Sequence, residues 1–89
     1  MDNALILSPD GKVLKGVRDK SITSVIVPDG VIEIAGGAFE DCTSLTSIDI
    51  PNSVKKIGYH AFEGCTSLAS IDIPNSVTEI GWQAFYLCI

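Results

Sequence analysis

Three cysteines, one histidine and a pair of aspartates are the residues whose types and spacing could do chemistry in this 89-residue chain. Cys42, Cys65 and Cys88 stand 23 positions apart. On a stacked backbone that step would set three thiols in a column, with neighbours about 5 Å apart, the spacing of paired strands. Such a column could act as a redox or metal-binding ladder, or it could be a row of small apolar fillers. The spacing matches neither a zinc pattern nor a Cys-x-x-Cys pair. Parallel Cβ directions along a stack also oppose a disulfide. Three free, structural thiols are therefore expected. His60 precedes Cys65 by five positions, but a Cys–His couple needs direct contact and a third, orienting group. His60 falls on the outer side of a turn, where Gly37 and Gln83 are its counterparts, so it should point away from the thiols. Asp49 and Asp72 share one column, and two close carboxylates can raise a pKa or hold a cation. Ile26 occupies the matching place in the preceding unit, so no third ligand continues that column, and solvated carboxylates are expected.

The same step governs the apolar residues. Residues 22–44, 45–67 and 68–89 align as three copies, the middle one reading LTSIDIPNSVKKIGYHAFEGCTS and the last LASIDIPNSVTEIGWQAFYLCI. A fixed step of this length marks a solenoid, in which each unit covers the apolar face of the next. Phe39, Phe62 and Phe85 should then share one buried row.

Within each copy, Leu45, Ile48 and Ile50, with their counterparts Ile22, Val25, Val27 and Leu68, Ile71, Ile73, predict a first strand. Pro28, Pro51 and Pro74 end it, because proline donates nothing to a ladder. A second short extended piece follows at 31–34, 54–57 and 77–80, closed by Gly58 and Gly81, or by Ala35 in the first copy. Segments 38–42, 61–65 and 84–88 are expected to form about one helical turn each. Residues 1–21 lie outside the repeat. Their two β-prone runs flank Ser8-Pro9-Asp10-Gly11, which predicts a hairpin with a three-residue loop and a bulge at the glycine. That hairpin is expected to cap the first coil.

The string L-x-S-I-x-I-P-x-S-V-x-x-I-G-x-x-A-F-x-x-C, carried by Leu45, Ser47, Ile48, Ile50, Pro51, Ser53, Val54, Ile57, Gly58, Ala61, Phe62 and Cys65, resembles the BspA-type leucine-rich repeat. It recurs nearly intact one step later. The resemblance implies a β-rich α/β solenoid of three right-handed coils. It also implies a role in adhesion and protein recognition, as in the long surface or secreted proteins typical of that family.

A net charge of −5 argues against nucleic-acid binding, which needs a Lys and Arg excess. No apolar run is long enough to span a bilayer, so membrane insertion is not expected. Read as a complete chain, the start at Met1-Asp2-Asn3 has no basic n-region and predicts a cytoplasmic protein. Read as a fragment, the chain belongs at the surface or outside the cell. No nucleotide-loop or HExxH motif is present, and neither an enzyme nor a cofactor is expected. The expected activity is protein binding, on either of two surfaces. One is the polar strand strip, including Thr46, Ser47, Asp49, Ser70 and Asp72. The other is the C-terminal end, where Trp82, Tyr86 and Leu87 replace smaller or polar counterparts and would cap the stack, join it to a second copy or a partner, or mark an array whose next coil is missing. Two roles fit this reading, a small acidic inhibitor of a host or phage-defence protein and a relative of a surface adhesin.

Overall fold

The computed structural model describes residues 4–88. Met1–Asn3, at the start of the expected hairpin, and Ile89, at the end of the third repeat, lie outside the described residues. Seven short strands form: β1 (Leu5–Leu7), β2 (Val13–Val17), β3 (Ser24–Ile26), β4 (Glu33–Ile34), β5 (Ser47–Asp49), β6 (Lys56–Ile57) and β7 (Glu79–Ile80). They build a five-stranded sheet in the order β1-β2-β4-β6-β7 and a two-stranded sheet of β3 and β5. Except for the antiparallel β1–β2 pair, every pairing is parallel.

The larger sheet repeats one bonding rule. The carbonyl of Ile32 accepts the N–H groups of Lys55 and Lys56, and that of Lys55 accepts those of Thr78 and Glu79. The Lys12 carbonyl does the same for Ile32 and Glu33. The second hairpin strand therefore stands where a preceding coil would stand. Its Leu14 heads a column that runs through Ile34, Ile57 and Ile80. The first three members are fully buried, while Ile80, at the other edge, is exposed.

The hairpin loop differs from expectation. Ser8 pairs directly with Val13, leaving four residues between them, and the register slips at Ile6/Leu7, opposite Lys15, instead of at Gly11. The Asp10 carboxylate is the cause. It accepts from the Ser8 hydroxyl at 2.7 Å and from the Lys12 N–H at 3.0 Å, which draws Lys12 into the loop. The same two bonds hold the Asp10 carboxyl below its ordinary pKa. Gly11 does adopt the expected positive φ, at 73°.

The expected helical turns do not form; no helix occurs among the described residues. Consecutive tight turns take their place. Within the first coil, the N–H groups of Ala38, Glu40 and Cys42 bond back three residues, to Ala35, Gly37 and Phe39. The alternate N–H groups of Gly37, Phe39 and Asp41 reach across to Tyr59, Ala61 and Glu63 of the next coil at 2.7–3.0 Å. The second coil repeats the scheme towards Trp82, Ala84 and Tyr86. A helix would direct every N–H along its own axis; here every second one is turned sideways. Left-handed residues at Gly37, His60 and Gln83, and again at Asp41, Gly64 and Leu87, make that rotation.

A second departure concerns the third coil. Residues 70–72 are not paired with β5 as a strand. Between the first two coils, Thr46 clasps the Thr23 carbonyl with both its N–H and its hydroxyl. Ala69, at the same place one coil later, has no hydroxyl to repeat the clasp.

The core is a set of columns. Phe39 stacks on Phe62, and Phe62 on Phe85, each with centroids 5.2 Å apart and ring planes within 6°. The expected aromatic row is therefore present. Val31 and Val54, Ala38 and Ala61, and Cys42 and Cys65 form parallel buried columns. The glycines closing the second strands are required by proximity. A Cβ on Gly81 would stand 2.3 Å from the Tyr59 nitrogen, and one on Gly58 2.4 Å from that of Gly36. Ala35 is tolerated because its inner neighbour is the hairpin and not another coil.

These columns predict graded losses. Phe62→Ala, which removes a ring packed on both faces, should cost about 3–5 kcal/mol. Phe85→Ala, at the half-buried end of the row, should cost clearly less. Urea unfolding of both variants measures the difference, and equal losses would contradict the two-sided packing.

Candidate functional site

The thiols are placed as fillers. Cys42 and Cys65 are fully buried, and Cys88 is half-buried. The Cys65 Sγ donates to the Phe39 carbonyl at 3.1 Å, and the Cys88 Sγ to the Phe62 carbonyl at 2.7 Å. No disulfide links the three. Burial pushes all three thiols up, Cys65 to about 12. A thiol that resists ionisation is neither a nucleophile nor a ready metal ligand. His60 does not face them. Its Nδ1 bonds the Glu63 carboxylate one turn on, and its ring meets Tyr59 and Trp82 edge-on at 5.3 and 5.4 Å.

On the strand strip, Thr46, Ser47, Asp49, Ser70 and Asp72 are all exposed. Thr46, Ser47 and Asp49 lie on or beside the paired β3–β5 ribbon, whereas Ser70 and Asp72 lie on the unpaired stretch of the third coil. Ile26, which interrupts the acidic column, is also exposed on this strip, at 74%. Among the described residues, no group of three or more His, Cys, Asp or Glu side chains is placed to hold a metal ion.

The C-terminal end gathers the larger apolar surface. Ile80, Trp82, Tyr86 and Leu87 are 51%, 72%, 46% and 50% exposed. Three of these are residues expected from the sequence; Ile80, at the end of an extended piece whose valine and isoleucine are expected to turn inward, is exposed. The same coil carries the N–H groups of Gln83, Phe85 and Leu87, whose counterparts one and two coils earlier donate across to the next coil. This end is apolar, and among the described residues these three N–H groups have no partner across the ladder.

A third feature was not anticipated. Gly36, Gly37, Glu40, Tyr59, His60 and Glu63 surround an open depression of about 320 Å³ at the corner of the first two coils. The available signal was the pair Gly36-Gly37 standing where later coils carry Tyr59-His60 and Trp82-Gln83.

The raised thiols set a pH dependence. Above the ordinary cysteine value of 9.0 the unfolded chain loses these protons, while in the folded chain Cys65 keeps its own to about 12. Their contribution to stability is thus complete below pH 9 and declines as pH rises from there towards 12. Urea midpoints measured across that range should fall, with the fall reduced in Cys65→Ala measured against its own neutral-pH midpoint. Thiol labelling in the folded state should be uniformly slow, with three sites revealed on unfolding.

The geometry can be set beside known proteins. A family model described as the BspA type leucine rich repeat region (6 copies) matches residues 17–89. A search of curated proteins finds no match. Among solved structures, a leucine rich cell surface protein from Faecalibacterium prausnitzii is 42% identical with a TM-score of 0.73, over 75% of this chain and 17% of that one. A leucine-rich repeat protein from Bacteroides ovatus gives 26% identity and a TM-score of 0.78, over 98% of this chain and 32% of that one. The leucine rich repeat protein of T. pallidum gives 28% and 0.55, over 94% of this chain and 64% of that one. The chain thus spans less than two thirds of the length of each of these proteins. With its ladder of parallel strands, its stacked phenylalanines and the repeat matched from Val17 onward, the chain belongs to the BspA-type leucine-rich repeat family.

Proposed function

We propose that this chain is a non-catalytic protein-binding module of a bacterial surface protein, with the aromatic C-terminal end as its principal contact surface. The hairpin serves as the cap that closes the opposite end of a three-coil stack. Leu87 carries the reading. It sits at φ 64° while half exposed, a backbone region that costs a bulky residue about 1 kcal/mol or more. Gly64 and Asp41 occupy the same position in the other coils, the residue types suited to it. A strained leucine open to water gains nothing in the isolated fold, and its hydrophobic surface is useful only when covered. Ile80, Trp82 and Tyr86 surround it with further apolar surface. The strand strip of Thr46, Ser47, Asp49, Ser70 and Asp72 is a second, more polar contact surface.

The likeness to a named cell surface protein favours the adhesin-related role and a surface location. No helix among the described residues is long and apolar enough to cross a membrane. The inhibitor reading draws only on acidity, and the cytoplasmic expectation gains no support from these likenesses.

Two measurements test the contact surface. Light scattering should give a concentration-dependent mass above the monomer for the wild type and the monomer mass for Trp82→Asp with Tyr86→Ser; monomers in both cases would remove the self-association. Leu87→Gly should raise stability in urea by about 1 kcal/mol while weakening association, because it relieves the backbone and deletes the exposed side chain. A stability loss on that substitution would instead make Leu87 a packing residue.

A further inference from the structure

We propose that the depression between the first and second coils is a receptor for one arginine side chain of a protein partner. The site exists because the first coil carries Gly36-Gly37 where the later coils carry aromatic and polar side chains. The Tyr59 ring lies over the bare backbone there; a Cβ on Gly36 would stand 2.9 Å from its Cε1. Tyr59 is 63% exposed, so much of its ring is open to solvent beside the His60 ring that meets it at a right angle.

The two carboxylates of the site come from one column and have unequal partners. Glu63 is bonded to His60, three residues before it. Glu40 has Gly37 at that same offset and finds no imidazole; its Oε1 lies 3.2 Å from where a Gly37 Cβ would be. Lys20 comes near, but its ammonium donates to the Glu40 main-chain carbonyl at 2.5 Å and forms no ion pair with the Glu40 carboxylate. Among the described residues the Glu40 carboxylate has no side-chain partner. An aromatic face beside an unneutralised carboxylate suits a planar cation, which can lie on the ring and donate in its own plane. A guanidinium meets both demands, whereas an ammonium has no plane to stack. At about 320 Å³ the depression is at the small end for a ligand site and admits a side chain better than a whole metabolite. The net charge of −5 adds attraction at longer range.

This proposal rests on the protein-binding reading but uses neither the strand strip nor the C-terminal end. Its test is an amide NMR titration of the chain with the blocked tripeptide N-acetyl-Gly-Arg-Gly-amide, repeated with lysine and with glutamine in the central position. The arginine peptide should shift the signals of Gly36, Gly37, Tyr59 and His60, with the lysine peptide weaker and the glutamine peptide silent. Glu40→Gln should weaken arginine binding about tenfold, equivalent to about 1.4 kcal/mol, while keeping a folded spectrum. Gly36→Ala, which displaces the Tyr59 ring, should also weaken it. Shifts spread over the whole acidic surface, equal responses to arginine and lysine, or unchanged binding in Glu40→Gln would each overturn the assignment. Trp82→Asp with Tyr86→Ser should bind the arginine peptide like the wild type. Loss of peptide binding with association intact would therefore sink this site alone.

Discussion

Each coil of this protein depends on its neighbour for hydrogen bonds that it cannot make by itself. Of every two consecutive N–H groups in the turn segment, one closes a turn inside the coil and the other is satisfied only by the next coil. Buried main-chain groups left unpaired are costly, so a single unit has no stable form of its own. The side chains obey the same constraint. Phe62 has a ring on each face at 5.2 Å, and Leu14, Ile34 and Ile57 are buried because something lies on both sides of them. Stability is then a sum of interfaces between neighbours.

That constraint explains which features were legible in the sequence. The phenylalanine row, the cysteine column and the paired valines follow from residue type and step alone, because stacking places like over like. The closing glycines are legible too, and proximity explains them, with clearances of 2.3 and 2.4 Å at Gly81 and Gly58. The turn ladder was not legible. Its alternation lies in main-chain N–H directions, and the residues that set it include His60, Gln83, Asp41 and Leu87, none of which announces a left-handed conformation as glycine does. An Ala-Phe-x-x-Cys string has helical spacing, and only the lateral bonds to the next coil reveal that the segment is something else. The unpaired third strand was not legible either: Ala69 stands where Thr46 makes two bonds to the Thr23 carbonyl, a clasp that becomes visible only in the structure. The depression was hidden for a related reason, since it is made by side chains that are absent.

The chemistry of the candidate site follows from the same stacking. The thiols repeat in a buried column, and burial disables them: Cys65 is held against a carbonyl and its thiol is pushed up to about 12. Residues that break the repeat are at the surface and available. Ile26 in the acidic column, Gly36-Gly37 in the aromatic column, and Trp82, Tyr86 and Leu87 in the last coil are all departures from the consensus, and each lies where a partner could touch it. In a solenoid the repeated apolar positions encode the fold, which leaves the departures from them free to differ from coil to coil.

The two edges of the larger sheet are treated differently. At one, β2 accepts the first coil with the bonding rule of a coil, and β1 then runs antiparallel, a direction that no following coil could adopt. The parallel pattern of the coils is broken there. At the other edge β7 keeps the parallel direction of its predecessors, and Gln83, Phe85 and Leu87 keep their donors turned outward. A further strand at the β7 edge could extend the parallel pattern, whereas one at the hairpin edge would have to pair with the reversed β1. The two edges therefore differ in strand direction before any side chain is considered.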